Sequence, residues 1–129
     1  AYIANVGDSR AYKIDNNSIH QISKDHTYVQ MLYENGEIEE HEIKTHHQRN
    51  IITRAVGIDD KIEPDYYEIE MSDNSVILMC TDGLSGYCSD EMLIETINSG
   101  NLEEAAEKLV KYAIEQGGKD NITIALVEN

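Results

Sequence analysis

Polar and apolar residues alternate in short stretches along most of the chain, and one stretch breaks the alternation. Val76-Ile77-Leu78-Met79-Cys80 is apolar throughout, too short for a core helix and suited to a strand buried on both faces. Upstream, residues 2–6 and 10–14 read as strands, and Gly7-Asp8-Ser9 between them is a hairpin signal. Asp15-Asn16-Asn17-Ser18 predicts another turn, so that residues 19–22 complete a three-strand meander. Residues 28–33 predict a short helix stopped by Asn35-Gly36. The polar stretch 37–48 has little periodicity and predicts a short helix within a mobile excursion. Residues 51–56 read as a strand ending at Gly57, and residues 66–70 as a half-buried strand beyond Pro64.

After the apolar run the period lengthens. Ser89 is a sound N-cap, with Asp90 and Glu91 in the first turn, where the helix dipole favours them. Met92, Leu93, Thr96 and Ile97 give that helix its inner face, and Gly100 ends it. Asn101 caps a longer helix, with Glu104 placed to complete a box-like start. Its apolar stripe is Leu102, Ala105, Ala106, Leu109, Val110, Ala113 and Ile114. Gly117-Gly118 closes it, and residues 122–127 form a last buried strand. The fold class is α+β: antiparallel strands with segregated helices, without strict βαβ alternation.

Charge narrows the functions available. Against 25 acidic residues stand only 10 Lys and Arg, a net charge of −15 over 129 residues. Such a surface repels nucleic acid and anionic membrane and suits cations or basic partners. No run approaches membrane-spanning length. Cys80 and Cys88 are too few for a disulfide framework, which fits a reducing cytoplasm. The chain opens on what reads as a strand already under way, which predicts a fragment or a cut chain.

Candidate chemistry centres on Asp82, a carboxylate at the mouth of the buried run, followed by Gly83. A charge there is costly unless compensated, and glycine permits a tight turn or a close approach. Asp120 precedes the last strand as Asp82 follows the central one. If the two strands are antiparallel neighbours, both aspartates share one sheet edge, and Asp8 at its turn could reach it. Like charges held that close raise one another's pKa, and divalent cations would resolve the repulsion. All-oxygen ligands suit Mg²⁺, Mn²⁺ or Ca²⁺, and paired metals activate water against phosphoryl centres. Three ordinary turn aspartates are the competing explanation. His41, His46 and His47 could be zinc ligands or solvated loop histidines. Arg10, Arg49 and Arg54 could hold phosphate or form ion pairs.

Four segments occur in order: Asn5-Val6-Gly7-Asp8-Ser9-Arg10-Ala11-Tyr12, Gln48 to Gly57, Cys80-Thr81-Asp82-Gly83-Leu84, and Gly117-Gly118-Lys119-Asp120-Asn121-Ile122-Thr123. With Ser23-Lys24-Asp25-His26 before the short helix, the chain resembles the C-terminal half of a bacterial PP2C-type (PPM) serine/threonine protein phosphatase. The resemblance covers essentially all of 1–129. It implies a partial domain: a β-sandwich flanked by helices, with a binuclear Mn²⁺ or Mg²⁺ centre and possible room for a third ion. It implies that Asp82, Asp120 and Asp8 are metal ligands, with Gly83, Asn121 and Ser9 near the site. It also implies a flap over about 35–50, with His47 where many bacterial relatives carry proline. The activity implied is hydrolysis of phosphoserine and phosphothreonine by metal-activated water, without a phosphoenzyme. Partners implied are phosphoprotein substrates and a cognate Ser/Thr kinase. The family's Asp-Gly-His-Gly segment and upstream phosphate-binding arginine lie outside this chain, so the isolated polypeptide is expected to be inactive and to hold metal poorly; if its sheet exposes long apolar faces or edges, self-association is expected. The alternative is a non-catalytic regulatory or interaction module on a degenerate phosphatase scaffold.

Overall fold

The apolar run forms β5 (Ser75–Cys80), which is paired on both sides by antiparallel neighbours. On one side lies β2 (Arg10–Asp15), itself joined to β3 (Ser18–Gln21); on the other lies β6 (Ile124–Glu128). The resulting four-stranded sheet has the order β3-β2-β5-β6. A second, two-stranded antiparallel sheet pairs β1 (Tyr2–Asn5) with β4 (Asp65–Glu68). This computed structural model describes residues 1–118 and 120–129. It is α+β with two antiparallel sheets and helices, as the sequence predicts.

The helices are α1 (Tyr28–Glu34), α2 (Asp82–Ser85), α3 (Asp90–Asn98) and α4 (Leu102–Glu115). Capping follows the sequence: Ser89 accepts from the Met92 N–H, and Asn101 from the Glu104 N–H. Tyr12, Ile14, Val76, Leu78 and Cys80 share one sheet face and pack with Leu93 and Ile97 of α3 and Ala105, Leu109 and Ala113 of α4. The alternate positions explain the choice, since period 2 along a strand meets period 3.6 along a helix. Leu78 and Leu109 are fully buried. The rest of the α4 stripe behaves differently. Ala106, Val110 and Ile114, with Ile124, line an open apolar groove of about 560 Å³.

Two expectations are corrected. The run 2–6 does not form a hairpin with β2. Tyr2 pairs with Glu68 and Asn5 with Asp65, so Gly7-Asp8-Ser9 carries the chain from one sheet to the other. Gly7 adopts φ +108 there, a conformation glycine takes without strain. Residues 51–56 form no strand; only an isolated bridge joins Ile52 to Thr27, and Val56 is 83% exposed. A β-branched run without a neighbouring strand has no ladder to join. Asp82, which follows β5, begins the short α2. The excursion 37–48 holds one 3₁₀ turn, Glu40–Glu42. Among the described residues no helix is long and apolar enough to cross a membrane.

Candidate functional site

Register in the four-stranded sheet decides where the acidic residues go. Arg10, Cys80 and Ile124 form one row across β2, β5 and β6. Because these neighbours run antiparallel, residues before β2, after β5 and before β6 all emerge at the same end. Asp8, Asp82 and Asp120 are those residues, and all three line one cleft of about 760 Å³. Asp25, Lys44, Arg49 and Asn50 line it as well.

A short network ties the two strand ends together. The Thr81 N–H donates to the Thr123 carbonyl at 3.1 Å. The Thr81 hydroxyl donates to the Asn121 carbonyl at 3.1 Å and accepts from the Thr123 N–H at 3.1 Å. Gly83 closes the joint by absence of a side chain, since a Cβ there would stand 3.1 Å from both the Asn121 carbonyl carbon and Ile122 Cγ1 and closer still to the carbonyl oxygen. Glycine after Asp82 is therefore a packing requirement. At the other side Asp120 Oδ1 accepts from the Asn121 N–H at 2.8 Å. Ser9 is exposed beside Asp8.

The electrostatics are unbalanced. Burial, and next the charge of Asp82, push the Asp8 carboxyl above its ordinary range. Arg10 offsets little of this, being committed to Asp25: its Nε lies 2.9 Å from Oδ1 and its Nη2 2.7 Å from Oδ2. Arg54 likewise is an ion-pair residue, 2.7 Å from Asp65 and 2.9 Å from the Glu63 carbonyl. Arg49 lines the cleft as Arg10 does, and among the described residues it makes no ion pair. Burial pushes the Cys80 thiol up to about 12, which disfavours the thiolate.

The donor set fits a hard divalent cation, because it is all carboxylate oxygen and self-repelling. It does not form a closed cage: among the described residues no group of three or more His, Cys, Asp or Glu is arranged to hold a metal. That statement applies equally to His41, His46 and His47, of which the last two stack at 4.5 Å. Sequence reasoning overlooked Thr81 and assigned no role to His26. Their signals were faint: a hydroxyl before Asp82, and a histidine inside a segment quoted only for its likeness.

A family profile described as Protein phosphatase 2C matches residues 1–122. The chain is 37% identical over 127 residues to the serine/threonine phosphatase stp of Listeria welshimeri, covering 98% of this chain and 50% of that protein. It is similar to the crystal structure of the Mycobacterium tuberculosis serine/threonine phosphatase PstP/Ppp, with TM-score 0.91, 35% identity, and coverage of 98% and 54%. A PstP catalytic domain solved in complex with two manganese ions matches at TM-score 0.85 and 32% identity, covering 98% of this chain and 52% of that one. The chain spans about half the length of the curated relatives it matches.

Proposed function

This chain belongs to the protein phosphatase 2C family, and from that premise we propose that it is the C-terminal portion of one metal-dependent phosphatase domain acting on phosphoserine and phosphothreonine in proteins. The observation that carries the reading is the convergence of Asp8, Asp82 and Asp120, from three distant segments, on one cleft. Asp82 and Asp120 would hold a pair of Mn²⁺ or Mg²⁺ ions, and Asp8 with Asp82 an additional one. Bound there, such ions supply an activated water and neutralise charge at the phosphoryl group.

This chain's residues do the arranging. Thr81 and Gly83 hold the Asp82 segment against Asn121, which ties together the main chain beside the two flanking aspartates. Asp8 adds a partly buried negative charge whose repulsion by Asp82 favours cation entry. Arg10 is neutralised by Asp25 and leaves the cleft acidic. The excursion at about 35–50 contributes Lys44, Arg49 and Asn50 to the wall, a flap whose cations can meet an anionic substrate. The free Cys80 and Cys88 fit a reducing, cytoplasmic setting. Substrates would be phosphorylated proteins, a cognate Ser/Thr kinase among them.

That the isolated polypeptide is inactive and holds metal weakly is part of the same proposal, supported by the chain's spanning about half of its relatives' length and by the lack, among the described residues, of a ready-made metal-holding group. The experiment compares the isolated chain with a version extended to the relatives' full length, on a phosphothreonine peptide with Mn²⁺. Turnover by the extended protein alone is expected. Turnover by the isolated chain contradicts its predicted inactivity; an inert extended protein favours a non-catalytic module on the same scaffold.

A further inference from the structure

His26 is buried, and its ring is bonded at both nitrogens. Nδ1 accepts from the Gly7 N–H at 3.0 Å, while Nε2 lies 3.1 Å from Asp65 Oδ2. A ring nitrogen that accepts an N–H bears no proton, so the imidazole proton sits on Nε2 and is donated to Asp65. Arg54 Nη1 is 3.2 Å from the same Nε2; being only a donor, it is served by Asp65 and the Glu63 carbonyl. The bonds from His26 and then Arg54 keep the Asp65 carboxyl below the usual carboxylate range, hence ionised and accepting.

The backbone repeats the grip. The His26 N–H donates to the Gly7 carbonyl at 2.9 Å, and the His26 carbonyl accepts from the Thr53 N–H at 2.8 Å. Gly7 is therefore held at its N–H by the imidazole and at its carbonyl by the main chain. It is the residue where the chain leaves the two-stranded sheet for the four-stranded one, and Asp8 follows directly. Asp8 lines the same cleft as Asp82, so the placement of the turn sets where the Asp8 carboxylate stands.

The geometry points to His26 as a positioning residue, which fixes the Gly7-Asp8 turn at the cleft while Asp65 and Arg54 set its tautomer. The importance of that turn for catalysis rests on the reading above; the grip itself does not.

The test is made on the chain as it stands, labelled with ¹⁵N. A scalar coupling across the hydrogen bond from the Gly7 nitrogen to His26 Nδ1 is expected, with an unprotonated Nδ1 shift. Two substitutions separate the ring's two bonds. His26→Asn sets an amide oxygen where Nδ1 stood, keeping the acceptor for Gly7. His26→Gln sets an amide nitrogen near Nε2, keeping a donor for Asp65 and losing the acceptor. Gly7 amide exchange should stay within about threefold of the parent in His26→Asn and quicken about tenfold or more in His26→Gln. Amide shifts of Asp8 and Ser9 should move chiefly in the glutamine variant. A protonated Nδ1, or protection kept by glutamine and lost by asparagine, overturns the proposal. If neither variant folds, the coupling and tautomer of the unsubstituted chain decide. A cleft that takes no Mn²⁺ counts against the proposed function and leaves these readouts standing, so the two failures are distinct.

Discussion

Gly83→Ala is the substitution in which a single methyl group tests how the site is built. Two opposing effects apply. Gly83 lies within α2, and alanine there gains up to about 1 kcal/mol of helix propensity. Against this, the new Cβ would press on the Asn121 carbonyl and stand 3.1 Å from Ile122 Cγ1, and overpacking costs about 1–3 kcal/mol. The obstruction is a main-chain carbonyl that accepts from Thr81 at 3.1 Å, not the loose end of a side chain. Relief requires moving the whole 120–123 segment and stretching that bond, so the upper part of the range applies. The net loss should be about 1–2 kcal/mol. Urea unfolding reads it as a lower midpoint at unchanged slope, and amide shifts should move at Asn121 and Thr123. Thr81→Val is the companion, removing the same bonds without adding bulk; the double variant should cost less than the sum of the two. A Gly83→Ala protein within about 0.5 kcal/mol of the parent, with those amides unmoved, would refute the reasoning.

Asp8→Asn should stabilise the metal-free chain at pH 7. The folded pKa of Asp8 is raised above 3.8, so the native state binds the proton more tightly and stability falls as pH rises from 3.8 through the folded value. The gain from Asn should vanish in melts below pH 3.8; a gain persisting there would contradict the cause given. Leu78→Ala, at a fully buried site in the central strand, should cost about 2–5 kcal/mol, seen as loss of most cooperative urea unfolding. Asn101→Ala removes the acceptor for the Glu104 N–H at 2.9 Å and should cost about 1 kcal/mol, read from the same curves.

Sequence pattern carried much of the architecture because the signals were strong and local. The apolar run 76–80 is the central strand, with Val76, Leu78 and Cys80 in the core and Met79 exposed, and of the helical stripe Ala105, Leu109 and Ala113 are the buried part. The antiparallel pairing of the strands beside Asp82 and Asp120 enters the sequence reading only as a condition, because nothing local to either strand names its neighbour. What failed was partner choice. Gly7-Asp8-Ser9 is compatible with a hairpin or with a crossing between sheets, and only the distant Asp65–Glu68 strand decides which. Ile51 and Ile52 look like strand residues by composition, yet strand propensity expresses packing against neighbours, and here a single bridge is the whole of the pairing. Thr81 and His26 matter through bonds to backbone groups far away in sequence, which no local pattern reveals.

Manganese titration of the ¹⁵N-labelled chain tests the central claim most directly, because paramagnetic broadening detects even weak binding and names the residues nearest the ion. The amides around Asp8, Asp82 and Asp120 should broaden first and together, ahead of the other acidic residues that make up the −15 charge. Broadening spread evenly over that acidic surface, or confined to one of the three segments, would contradict it.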